Sequence, residues 1–342
     1  MPKLNEYLDT NLEGTKTYAF LVIRNDSILY ERYFDHLPIN KQLPSFSVAK
    51  SFISTLIGIA YEEGKIHNLQ DPITLYIPAL ADRDIRFKNV SIQNLLDMRS
   101  GVKSNENYIN PFSDVLKLGF AKNIKSKTLA VKYGNAPGKF EYRSVNTQLL
   151  AIILENATGE KVQDYLIEKL WLPLGMEYPA SWNIDDEKHK TVRAFCCINA
   201  AARDFAKFGR LFLQKGKWGN NQIISNAWIN QSTNKDTFNM YEGYKNQWWS
   251  SKSVDVFSDS LAAKVFAEGG IGASKTYGFE TQNGFRNFAV QYRDGAFHAE
   301  GLLEQYVYIN PKKNIVIVRL GYSWKHPRMD SESFIYNLGK NL

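Results

Sequence analysis

A serine and a lysine three residues apart open an apolar run: Pro44-Ser45-Phe46-Ser47-Val48-Ala49-Lys50-Ser51-Phe52, followed by Ile53, Leu56, Ile57, Ile59 and Ala60. A helix that is apolar on nearly every side belongs inside a folded domain. This stretch therefore demands a buried helix with the rest of the chain packed around it, and Glu62-Glu63-Gly64 supplies a polar, glycine-ended terminus. At helical spacing Ser47 and Lys50 share a face with their tips adjacent. A serine hydroxyl is a weak nucleophile that needs a base, and lysine serves as one when burial lowers its pKa. Ser47 would also sit where free N–H groups at a helix start stabilise an oxyanion. The same serines have a plainer use, since Ser45 or Ser47 suits a helix cap. Ser232-Thr233-Asn234-Lys235 repeats the spacing in a polar stretch with no apolar helix behind it, so spacing alone does not decide.

Composition narrows the classes. A chain of 342 residues, 44% hydrophobic and 23% charged, can bury a sizeable core in one large domain or two lobes. The net charge of +7 comes from scattered lysines and arginines with no basic run interleaved with aromatics. Nucleic acid is therefore not an expected partner; a solvated basic surface is the expectation. No C-x-x-C or H-E-x-x-H spacing occurs and the histidines are far apart, so no metal and no other cofactor is expected. The only cysteines, Cys196 and Cys197, lie in the apolar run Ala194 to Ile198, which reads as a buried strand. Neighbours on a strand point to opposite faces, so no disulfide is expected between them. No apolar run reaches the roughly 18 residues of a membrane span, and the polar N-terminus shows no signal peptide. Compartment stays open, with a periplasmic or membrane-anchored protein expected if a leader was trimmed.

Tyr18 to Ile23 and Ile28 to Phe34 read as a hairpin turning at Arg24-Asn25-Asp26-Ser27, after a short helix from Asn5 to Leu12. Ser91 to Met98 reads as a capped helix with Leu95 and Leu96 buried, and Lys103 to Pro137 as irregular chain with short helices. Asn146 to Asn156, Lys161 to Leu170 and Ala201 to Gln214 read as helices, and Thr191 to Ile198 as a strand. Gln305 to Ile309 and Asn314 to Leu320 form a second hairpin, with Ser331 to Leu338 closing as a helix before Gly339. Strands at both ends with helices between predict a sheet built from both chain ends and an inserted helical lobe. The expected domain is single, residues 1–342, with an α/β lobe over 1–75 and 178–342 and a helical lobe over 76–177.

A second stretch, Pro137-Gly138-Lys139-Phe140-Glu141-Tyr142-Arg143-Ser144-Val145-Asn146-Thr147, is a turn running into a helix. A phenol held near a lysine relays protons between nucleophile and leaving group. The alternative is that Tyr142 packs on the next helix while Ser144 or Asn146 caps it; Tyr108-Ile109-Asn110 and Tyr308-Ile309-Asn310 look similar and read as incidental.

Taken together the pieces resemble the serine hydrolases related to class C β-lactamases, a superfamily that includes penicillin-binding esterases, D-amino-acid peptidases and nylon-oligomer hydrolases. Ser47-Val48-Ala49-Lys50 resembles the nucleophile motif and Phe140 to Asn146 the tyrosine motif. Ser91 to Gly101, Leu170-Trp171-Leu172-Pro173-Leu174-Gly175-Met176 and Ala202 to Gly209 resemble three further family segments in the right order. Gly295-Ala296-Phe297-His298-Ala299-Glu300-Gly301 stands where the third motif lies.

The resemblance implies an antiparallel sheet flanked by helices and an acyl-serine mechanism without a cofactor. It makes Ser47 the nucleophile, with Lys50 and Tyr142 sharing the proton transfers, and makes Ser144, Asn146, His298, Glu300 and Gly301 substrate contacts. The implied oxyanion hole is the Ser47 N–H with a second N–H from the strand His298 to Gly301. Ser144 replaces the asparagine of β-lactamases, and Lys275-Thr276-Tyr277-Gly278 comes too early to be their lysine-threonine-glycine strand. Glu304 stands where relatives often carry glycine. These departures argue against efficient β-lactam hydrolysis and point to a small ester or amide. The rival readings are a carboxypeptidase of cell-wall peptides, in the manner of penicillin-binding proteins, and a non-catalytic binding protein. Finally Ser250 to Gly295, with Gly269, Gly270 and Gly272 as joints and Phe279, Phe285 and Phe288 as apolar content, is either a lid over the cleft or a surface hairpin packed away from it.

Overall fold

Two hairpins from opposite ends of the chain meet in one antiparallel sheet. In the computed structural model, which describes residues 2–234, 243–269, 274–281, 284, 286–326 and 329–342, the N-terminal strands Thr17–Arg24 and Ser27–Tyr33 turn through Asn25 and Asp26, both left-handed at φ 51° and 58°. Asn and Asp tolerate that region better than other side chains. Thr17–Arg24 then pairs with Ile315–Gly321, the last strand. The full order is Tyr244–Lys245, Trp248–Ser250, Phe297–Gly301, Gln305–Asn310, Ile315–Gly321, Thr17–Arg24, Ser27–Tyr33.

Side-chain alternation gives the sheet two apolar faces. Phe20, Val22, Ile315 and Ile317 pack with Leu8, Leu12, Phe334 and Leu338 of the terminal helices Pro2–Leu12 and Ser331–Asn341. Ala19, Leu21, Val316 and Val318 face the larger core with the helices Ala49–Glu62, Ser144–Thr158 and Ala202–Leu213. The central helix is as buried as its composition demands: every residue from Ala49 to Ala60 is buried. Its Phe52 stacks on Phe208 of the third helix with ring centroids 3.7 Å apart.

Several expectations need adjustment. The short helices expected after Lys103 are present as Asp114–Gly119 and Ile124–Leu129, whereas the closing helix runs on through Gly339 to Asn341. The helix from Val162 widens into a π turn over Ile167–Trp171.

The strand expected over Thr191 to Ile198 is confined to Ile198–Ala200, and Cys196 and Cys197 are joined by a disulfide. The reasoning against that bond assumed an extended backbone. Cys197 instead takes a left-handed φ of 74°, so the strand alternation that would part the two sulfurs does not apply.

Within Ser250 to Gly295, the described residues between Ser253 and Tyr292 form a small unit beside the large sheet. Ser253–Phe257, Arg286–Tyr292 and Ser274–Glu280 form a three-stranded sheet in that order, and the helix Ser260–Glu268 covers one face through Ala263 and Phe266. Asp255 binds it to the closing helix through an ion pair with Lys340. Gly270, Gly272 and Phe285 lie outside the described residues.

Candidate active site

The chain reaches the site from the short strand Leu43–Pro44, and the Ser45 amide bonds the Ile198 carbonyl. Phe46 then adopts a φ of 46°, an unusual value for an aromatic residue, and turns the backbone into a single 3-10 turn, Phe46–Val48. Ser47 sits on this turn, immediately ahead of the helix that carries Lys50. One helical turn of separation brings Lys50 Nζ to 2.9 Å from Ser47 Oγ. The ammonium nitrogen also donates to the Phe195 carbonyl at 2.8 Å and lies 5.1 Å from the centre of the Tyr142 ring.

Lys50 is 1% exposed. Burial, which removes the water that would solvate an ammonium, pulls its pKa from the usual lysine range down to about 7, with the Glu106 carboxylate acting in the opposite direction. Tyr142 moves the other way. Burial pushes its phenol well above the ordinary value, and Tyr108, Glu106 and Glu300 add to the rise while the Ser47 hydroxyl opposes it. At neutral pH the pair thus offers a lysine that can be neutral and a tyrosine that keeps its proton.

Tyr142 is fixed by aromatic packing: its ring stacks on Trp249 at 5.9 Å and meets Tyr244 edge-on at 5.7 Å. Trp249 and Tyr244 come from the edge strands of the large sheet, so sheet and helices both contribute to the site. Gly301 closes the opposite side. A β-carbon there would stand 2.3 Å from the Ser45 carbonyl and 3.1 Å from the Ser47 amide nitrogen, so only glycine permits this approach.

These groups border a cavity of about 250 Å³ lined by Ser47, Tyr108, Tyr142, Trp249, Glu300, Gly301, Leu302, Leu303 and Glu304. No Lys or Arg lines it among the described residues. Nor does any described residue of the small 253–292 unit. Lys275-Thr276-Tyr277-Gly278 falls in that unit, on an exposed edge strand.

Three of the expected substrate contacts are turned elsewhere. Ser144 is fully buried, with its N–H and hydroxyl both donated to Glu106. Asn146 is buried against Ser100, whose hydroxyl it accepts at 2.8 Å, and against Met98. His298 is 3% exposed and its ring meets Ser251 and Tyr336 at 3.1 Å, toward the closing helix. Gly301, on the other face of the strand from His298, is the residue that meets the nucleophile turn. Glu300 and Gly301 do line the cavity.

Glu106 and Tyr108 are the residues sequence reasoning passed over. Both belong to the loop before Asp114, and no local pattern announces that this loop folds back onto Ser144.

A metal centre finds little support. Asp185, Asp186 and His189 lie within 4.8 Å of one another. Their carboxylates, however, already accept the N–H groups of Ile124, Asp186, Thr191, Lys188 and His189.

A family model described as Beta-lactamase matches residues 4–333. The 6-aminohexanoate-dimer hydrolase of Paenarthrobacter ureafaciens is 29% identical over 233 residues, which is 65% of this chain and 58% of that protein. The chain thus matches somewhat over half the length of this curated relative. Among solved structures, a Bacillus anthracis protein provisionally described as a 6-aminohexanoate-dimer hydrolase superposes with a TM-score of 0.73 at 26% identity, over 98% of this chain and 80% of its own. A class C beta lactamase from Rhodobacter sphaeroides shares the fold at a TM-score of 0.62 and 15% identity, covering 98% and 97% of the two chains.

Proposed function

The chain belongs to the beta-lactamase family, and from that premise we propose that it is a serine hydrolase cleaving a small ester or amide through an acyl-Ser47 intermediate. The observation that carries this reading is the buried Lys50 amine, 2.9 Å from the Ser47 hydroxyl with its pKa drawn down to about 7. A neutral amine at that distance takes the hydroxyl proton as Ser47 Oγ attacks the substrate carbonyl carbon. The carbonyl oxygen becomes an oxyanion, held by the Ser47 N–H and the neighbouring Gly301 N–H. Tyr142, kept protonated by burial, gives its proton to the departing alkoxide or amine and recovers one from Lys50. The acyl-enzyme forms as the carbon–oxygen or carbon–nitrogen bond breaks. Water then enters by the reverse route, losing a proton to the same pair as it attacks, and Ser47 leaves with its proton restored.

Among the described residues no Lys or Arg lines the cavity, which argues against recognition of the carboxylate of a β-lactam. The aromatic walls Tyr108, Tyr142 and Trp249 suit an apolar or amide-bearing substrate. The relative's name, a 6-aminohexanoate-dimer hydrolase, makes short ω-amino-acid amides the first amides to try.

The test is a panel of p-nitrophenyl esters, D-amino-acid anilides, the 6-aminohexanoate dimer and a chromogenic cephalosporin, each run with the protein and its Ser47→Ala variant. Turnover of an ester or amide that vanishes in the variant is the expected result, with the cephalosporin the poorest substrate. Turnover surviving in Ser47→Ala, or none with any member of the panel, would overturn the proposal.

A further inference from the structure

Glu106 lies in a loop far in sequence from Tyr142, yet its carboxylate is tied to the start of the helix that follows the tyrosine. The Ser144 N–H stands 3.0 Å from both Oε1 and Oε2, and the Ser144 hydroxyl donates to Oε1 at 2.5 Å. The Tyr108 phenol donates to the same Oε1 at 2.8 Å and touches Ser144 Oγ at 3.4 Å. A carboxylate accepting the first free N–H of the 15-residue helix Ser144–Thr158 sits where the helix dipole favours negative charge.

These bonds have two geometric consequences. The backbone is clamped two residues beyond Tyr142, whose own ring packs on Trp249 and Tyr244. Tyr108 is clamped as well, with its ring forming the cavity wall beside Ser47 and Tyr142.

There is also an electrostatic consequence. Lys50 faces the Ser47 hydroxyl, the Phe195 carbonyl and the Tyr142 ring, none of them charged at neutral pH. The charge acting on it is that of Glu106. Tyr142 in turn faces Tyr108, Ser47, Glu106 and Glu300.

We propose that Glu106 is a positioning residue of this site: one carboxylate fixes the Tyr142 backbone through Ser144, holds Tyr108 as a wall of the cleft, and supplies a negative charge that acts on the buried Lys50 amine. This rests on the reading of Ser47 as nucleophile and Lys50 as its base. The sign of the electrostatic part follows from the chemistry. An anion favours the ammonium form, so removing it lowers the Lys50 pKa further and leaves the amine neutral at more acid pH.

The experiment is the rate of Ser47 acylation by a fluorophosphonate probe between pH 5 and pH 9 for the wild type, Glu106→Gln and Glu106→Asp, with circular dichroism to confirm folding. Glutamine has one acceptor where the carboxylate has two, and its NH₂ opposes the Ser144 N–H. Glu106→Gln is expected to react about tenfold to a hundredfold more slowly at pH 8. Its acid-limb midpoint should lie about half a unit to one unit below that of the wild type. Glu106→Asp keeps the charge but shortens the reach, so its rate falls while its midpoint stays with the wild type. A purely structural role would slow both variants and move neither midpoint, and that result overturns the proposal. If Glu106→Gln does not fold, Glu106→Ala takes its place: a slower rate with the midpoint below that of the wild type supports the proposal, and a wild-type rate or an unmoved midpoint in the folded protein overturns it. Failure of the wild type to label at Ser47 would instead sink the functional reading on which the proposal stands.

Discussion

Lys50 Nζ lies 2.9 Å from Ser47 Oγ and has its second bond to a backbone carbonyl, that of Phe195. Among the described residues, an ammonium ion in this position has a carbonyl and a hydroxyl to replace its lost hydration and no carboxylate bonded to it. That deficit, rather than any special feature of the lysine, draws its pKa to about 7.

Lys50→Arg should therefore be nearly inactive despite preserving the positive charge, because a guanidinium does not deprotonate in proteins. The expected loss in kcat/KM is about a thousandfold, within the usual range for removing a general base. Steady-state hydrolysis of a p-nitrophenyl ester at pH 8 measures it, and activity within tenfold of wild type would remove Lys50 from proton transfer.

The same shift sets two pH dependences. Activity should rise through about pH 7 as Lys50 loses its proton. Stability should also rise with pH between about 7 and 10.5, since in that window the unfolded chain still binds a proton that the folded protein has released. A Lys50→Met variant lacks this dependence. Urea unfolding at pH 7 and pH 9 should show the wild type gaining on the variant by up to about 1.4 kcal/mol per pH unit; a difference that is flat or falls with pH would contradict the assignment.

Tyr142→Phe deletes a proton and leaves the stacking on Trp249 and Tyr244 in place. The melting temperature should stay close to wild type while kcat falls about a hundredfold and KM changes little. A large rise in KM with kcat preserved would make Tyr142 a binding group instead.

Gly301→Ala tests the close approach of the third-motif strand to the nucleophile turn. The new methyl would stand 2.3 Å from the Ser45 carbonyl and 3.1 Å from the Ser47 amide. Backbone must shift to admit it, so acylation of Ser47 should fall at least tenfold in a protein that still folds. Wild-type acylation rates would show that the turn does not need this register.

What the sequence disclosed follows the range of the interactions involved. Ser47 and Lys50 are one helical turn apart on a run too apolar for a surface, so local periodicity was enough to pair them. The two hairpins of the large sheet were legible for the same reason, through Asn25-Asp26 and Asn310-Pro311. Tyr142 needed the co-occurrence of several motifs, because nothing local separates it from Tyr108 or Tyr308. Glu106 was invisible, since its value comes from a contact 38 residues along the chain. His298 is buried against Ser251 and Tyr336, partners 47 and 38 residues away that no local pattern could announce. The cysteine pair failed on a single left-handed residue, Cys197, in a run whose apolar content looked like strand.

The central claim is that Ser47 becomes covalently acylated, and intact-mass measurement followed by peptide mapping after brief reaction with a fluorophosphonate tests it most directly. One adduct per chain is predicted, confined to the peptide containing Ser47 and absent from Ser47→Ala. An adduct on Ser232 or any other residue, or an unmodified chain under conditions that label a known serine hydrolase, would contradict the account.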